Sequence, residues 1–145
     1  MKKVLLALTI AAVLSMSATA AAALSPTAYR AKVNAICATG VAALNAIPKP
    51  KTAAAILPYF QKSVTMGDKL VLKIAAVTPP ASLQPVAGHA IDLQVAFEKA
   101  LHKLVTKLQT SKNPVATVNA AEPNLTKLNN KANAAWRKAG LNKCA

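Results

Sequence analysis

The stretch that decides the fold runs Val86-Ala-Gly-His-Ala-Ile-Asp-Leu-Gln-Val-Ala-Phe-Glu-Lys-Ala-Leu-His-Lys-Leu-Val-Thr-Lys-Leu108. Its apolar residues Val86, Ala90, Leu93, Phe97, Leu101, Leu104 and Leu108 recur at spacings of three and four, the period of one face of an α-helix. Lys99, Lys103 and Lys107 repeat every four residues on the outer side, where water can solvate them. Ser82 stands where an N-cap is wanted, and Pro85 falls in the first turn, where its missing N–H costs nothing. Thr110 to Pro114 is the turn that ends the segment.

The same period extends outward on both sides. Towards the N-terminus, Leu57, Phe60, Val64, Gly67, Val71 and Ile74 make the inner face of a second helix, with Thr52 as its cap and a kink or restart expected at Pro58. It stops at Thr78-Pro79-Pro80. Before it, Ser25-Pro26 is an N-cap followed by proline at the first helical position. That first helix shows Tyr29, Val33, Ile36, Gly40, Leu44 and Ile47 on one face, with Cys37 at its edge. Pro48-Lys49-Pro50 ends it, because residues before proline are pushed out of the α region. Towards the C-terminus, Val115, Val118, Leu125, Leu128, Ala132, Trp136 and Ala139 form a fourth face. Pro123 interrupts that run, so its first turns are expected as a separate short helix. Gly140-Leu141 has the pattern of a C-terminal cap, glycine in the left-handed conformation and an apolar residue after it. No segment alternates with period two, and four glycines are too few for the turns of an all-β chain. The fold expected is all-α, an antiparallel up-down four-helix bundle.

The first residues have a different logic. Lys2 and Lys3 precede Val4 to Leu14, apolar apart from Thr9, and then a small-residue stretch containing Ala18-Thr19-Ala20. This is the layout of a secretory signal peptide. Cleavage is expected after Ala20, with Ala22 and Ala23 as alternatives, leaving residues 21–145 as one helical domain, secreted or held in the cell envelope. Two cysteines in an exported chain read as a pair. Cys37 lies near the start of the mature domain and Cys144 is its penultimate residue. Closing so long a loop is worth roughly 4.7 kcal/mol in the chain-entropy model. Two free thiols, or a bridge between molecules, are the alternatives.

Charge separates the function classes. The mature chain keeps sixteen of the eighteen Lys and Arg and all four acids, Asp68, Asp92, Glu98 and Glu122, for a net +12. Lys62, Lys69 and Lys73 fall together on the back of the second helix, Lys99, Lys103 and Lys107 on the third, and Lys127, Lys131 and Lys138 on the fourth. These rows read first as solvated outer surface. Their sharper reading is non-selective contact with an anionic envelope polymer or membrane surface, screened by salt. Nucleic acid is not an expected partner: Trp136, Phe60 and Phe97 sit on inner faces, and only Tyr59 is placed for exposure. His89 and His102 lie about 140° apart around one helix and cannot share a metal. His102 follows Glu98 by four residues as an ordinary surface pair, and His89 reads as a structural histidine at the edge of the apolar face. No nucleophile elbow, P-loop or H-E-x-x-H occurs, so no enzyme, no metal and no cofactor are expected.

Tyr29-Arg-Ala-Lys-Val-Asn-Ala-Ile-Cys37, the Pro79-Pro80 break followed by Leu83, and the ending Ala139-Gly-Leu-Asn-Lys-Cys144 together resemble a set of small exported proteins. Many of these are of actinobacterial type, with an Ile-Cys in the first helix and a Gly-Leu-x-x-Cys terminus. The resemblance implies a helical fold and a disulfide, and no activity. Two functions are therefore expected. The first is a non-enzymatic structural or interaction module of the cell envelope or exterior. The alternative is a carrier holding a small hydrophobic ligand inside the bundle. A filled core favours the module, and a continuous apolar cavity of a few hundred Å³ favours the carrier.

Overall fold

In the computed structural model, which describes residues 24–145, four helices pack against one another, and the described residues contain no strand. They are α1 (Pro26–Asn45), α2 (Ile56–Ala75), α3 (Gln84–Thr110) and α4 (Pro114–Lys138). Residues 1–20, read as a signal peptide, lie outside the described residues. None of the described helices is long and apolar enough to cross a membrane.

The signals at the two ends of the domain act as read. Ser25 Oγ accepts the Ala28 N–H at 3.2 Å, and Pro26 opens α1. At the other end Gly140 has φ 77, a conformation glycine adopts without steric cost. The Leu141 N–H reaches back to the Trp136 carbonyl at 2.9 Å and the Gly140 N–H to that of Arg137 at 2.9 Å. This pair of bonds closes the helix and folds Leu141 fully into the core.

Other boundaries differ from the sequence expectation. Ser82 does not cap α3: it lies in a turn held by Leu83 N–H to Pro80 O, and α3 starts without a side-chain cap. Thr52 makes no capping bond either and precedes a single 3₁₀ turn, Ala53–Ala55. The restart thus comes before Pro58, which sits in the first turn of α2, where an N–H has no partner to lose. Pro123 does not divide α4, which is continuous across it. The carbonyl that loses its partner belongs to exposed Asn119, where water can satisfy it, and α4 packs along α3, its most extensive neighbour.

Cys37 is fully buried, in line with Tyr29 and Val33 at steps of four, rather than at the edge of the α1 face. It is bonded to Cys144, with Cα atoms 4.9 Å apart and 107 residues between them in sequence. Arg30 Nε donates to the Ala139 carbonyl at 3.0 Å, and Asn34 binds the last turn at both Gly140 O and Lys143 N–H. So α1 is tied to the end of α4 through the C-terminal turn. Among the described residues, its Cα atoms come within 8 Å of neither α3 nor α4.

The core has two parts. One gathers Tyr29, Val33, Cys37, Ile74, Val77, Leu83, Ala87, Ala90, Ala132, Trp136 and Leu141. The other is smaller: Ile56, Leu104 and Leu108, with Leu57, Phe60, Val118 and Leu125 partly buried against them. Val115, expected on the inner face of α4, is exposed; it lies in the first turn, on the rim of an open depression shared with Ile56, Tyr59 and Phe60 of α2. His89 is also exposed rather than packed at the edge of the core.

Candidate functional site

Between the two parts of the core lies a partly open cavity of about 330 Å³. The geometry that leaves it open is the separation of α1 from α3 and α4. Cys37, Val41 and Leu44 of α1 line one wall, Gly67, Leu70, Val71 and Ile74 of α2 another, and Phe97 and Leu101 of α3 a third. Tyr59, Phe60, Phe97 and Trp136 all face it, four of the five aromatic residues in the chain. Tyr59 and Phe60 meet edge to face, with centroids 5.3 Å apart. Tyr59, read as the aromatic placed for exposure, is instead half-buried in this wall. The disulfide forms part of the lining through both of its cysteines.

One ionisable acid belongs to the wall. Glu98 is only 7 % exposed. It does not form the expected surface pair with His102; that imidazole reaches Asp68 of α2 at 3.0 Å. The carboxylate turns inward because α2 offers Gly67 opposite: a Cβ there would stand 2.7 Å from Glu98 Oε2. A carboxylate in place of a side chain fills that notch.

A chain of side-chain bonds fixes its orientation. The Trp136 indole Nε1–H, which can only donate, binds Gln94 Oε1 at 3.2 Å. That forces the Gln94 amide nitrogen towards Glu98, where it donates to Oε1 at 3.0 Å. Oε2 is buried and has no partner. Burial, reinforced by the neighbouring Asp68 carboxylate and opposed by the Gln94 bond and by His102, raises the Glu98 carboxyl above the ordinary carboxylate range. Either protonation state leaves something unmade: a carboxylate lacks a donor at Oε2, and a carboxylic acid lacks an acceptor for its proton. The wall is therefore apolar and aromatic with one oriented polar terminus, the usual composition of a small-molecule site.

Of the residues singled out from the sequence, Cys37 and Cys144 are brought together at this cavity. Lys62, Lys69, Lys73, Lys99, Lys103, Lys107, Lys127, Lys131 and Lys138 are all exposed, on α2, α3 and α4, and none lines the cavity. Sequence reading missed Gln94 and Glu98. Both lie about 40–80° round the helix from Ala90, at 100° per residue, on the flank that turns to α2. The signal was Gly67 on the inner face of α2, a residue whose lack of a side chain leaves room across the interface. Among the described residues no group of three or more His, Cys, Asp or Glu side chains is placed to hold a metal. Compared with known protein families, curated proteins and solved structures, the chain matches none.

Proposed function

We propose that this is an exported carrier: a helical bundle that loses residues 1–20 and holds one small, mostly apolar ligand between its helices, with no chemical step. The observation that carries the reading is the aromatic-lined cavity of about 330 Å³. It falls within the range of roughly 300–1,000 Å³ typical of ligand pockets and exceeds the ~150 Å³ that accommodates benzene in an engineered apolar cavity. A ligand of one or two rings fits it. Of the two functions expected from the sequence, a filled core would have favoured the surface module, and the cavity favours the carrier. The disulfide supports export, since such bonds persist in oxidising compartments.

Titration calorimetry of the purified protein with neutral indole tests the reading. Saturable one-to-one binding is expected, and Leu101→Trp, which places a large side chain in the cavity, should weaken it at least tenfold. Absence of saturable binding, or equal binding by the filled variant, would overturn the carrier.

A further inference from the structure

The carrier reading leaves open what kind of ligand the wall selects, and three observations bear on it. The first is the unpartnered Oε2 of Glu98, on a side chain more than nine-tenths buried and held in one orientation by Gln94 and Trp136. A buried carboxylate with one oxygen unpaired is completed by a hydrogen-bond donor, most strongly by a charged one, and Glu98 is the acid of the cavity wall. The second is the charge of the wall. The chain holds eighteen Lys and Arg against four acids, yet the cavity is lined by Glu98 and by no lysine or arginine. Asp68, close enough to raise the Glu98 carboxyl, brings half of the chain's acids to this one place. Asp68 is itself paired with His102 outside the wall, so an anionic ligand would meet the Glu98 carboxylate with no lysine or arginine in the wall to pair with. The third is the concentration of aromatic rings in the same wall, whose faces attract cations.

We propose that the cavity is a site for a small protonated amine, its apolar body packed among Tyr59, Phe60, Phe97 and Trp136 and its ammonium paired with the Glu98 carboxylate, which turns out of the Gly67 notch to meet it. This rests on the carrier reading and narrows it. The exterior of the protein works against the result: a net positive chain repels cations, so any preference for an amine has to come from the site itself.

Three probes of matched size decide it: n-propylbenzene, 2-phenylethylamine and 3-phenylpropanoate, each titrated calorimetrically at neutral pH. The amine is expected to bind at least tenfold more tightly than propylbenzene, and the carboxylate at least tenfold more weakly. Glu98→Gln, with its fold checked by thermal unfolding, should cost the amine tenfold or more and leave propylbenzene within twofold. Propylbenzene binding as well as the amine would overturn the amine site and leave the carrier standing; failure of all three to bind would overturn both. Tightest binding by the carboxylate would also overturn it, assigning the selectivity to the lysine-rich exterior. The ranking on the unmodified protein is decisive even if Glu98→Gln does not fold.

Discussion

The two ends of the bundle are built on different terms. Where α1 begins and α4 finishes, Tyr29, Val33, Cys37, Trp136 and Leu141 are essentially without exposure, and a disulfide, a glycine cap and the Arg30 and Asn34 bonds lock the same layer. Around the turn from α3 to α4, three buried aliphatic residues, Ile56, Leu104 and Leu108, do the work with partly buried neighbours, and Val115 remains in solvent. The cavity lies where one regime gives way to the other: Cys37, Ile74 and Trp136 on its wall belong to the first, Phe60 to the second. The contrast teaches that stability and open space are divided along the bundle. A strongly fixed end permits an incompletely filled middle.

That contrast can be broken by mutation. Trp136→Ala removes the largest buried side chain together with the bond that orients Gln94. It should cost about 3–5 kcal/mol in urea unfolding, against about 2–3 kcal/mol for Leu104→Ala at the other end. Equal costs would show that the two ends are equally structural. Cys144→Ser should cost about 2–5 kcal/mol, the range for a native bridge in a small secreted domain. Because the bridge ties α1 to the last turn, faster amide exchange should appear in α1 and spare the second half of α3. Uniform acceleration would mean the disulfide acts on the whole bundle alike.

The smallest effect concerns the middle. The Glu98 carboxyl is raised above its usual range, so the folded protein binds that proton more tightly than the unfolded chain does. The contribution is then most favourable in acid, below roughly pH 4, and is lost as pH climbs through the ordinary carboxylate range towards the raised value. Glu98→Gln, which cannot ionise, should therefore be more stable than the parent at neutral pH, by on the order of 1 kcal/mol. The difference should vanish in acid. Thermal unfolding of both proteins across pH measures this, and a Gln variant less stable at pH 7 than at pH 4 relative to the parent would contradict it.

Much of the fold was legible because a helix face is a periodic property of sequence. The faces of α2 and α3, the Ser25 cap, the Gly140–Leu141 ending and the Cys37–Cys144 pair follow from spacing, cap chemistry and cysteine number. Pro123 was misread because the preference against proline within a helix is local, while packing of α4 on α3 and an exposed Asn119 carbonyl decide the outcome. Ser82 was misread because a turn beginning at Pro80 takes up the residues it would have capped. The cavity was not legible at all. Periodicity says which residues point inward and nothing about how far apart the helices stand, and the alanines of α1 suit close and distant neighbours alike. Glu98 looked like surface because its neighbours Lys99 and His102 are; only the missing side chain of Gly67, on another helix, admits it.

The chain has a single tryptophan, and Trp136 stands on the wall of the cavity at one end of the bonds that lead through Gln94 to Glu98. Indole emission responds to the polarity around the ring and to the bond at its nitrogen. The protein therefore carries its own optical gauge, without labelling and without interference from a second tryptophan. A molecule entering the cavity would change the surroundings of the ring, and a rearrangement of the Glu98 carboxylate would reach its N–H by way of one amide. If the proposed carrier binds its ligand there, its filled and empty forms differ in colour as well as in content.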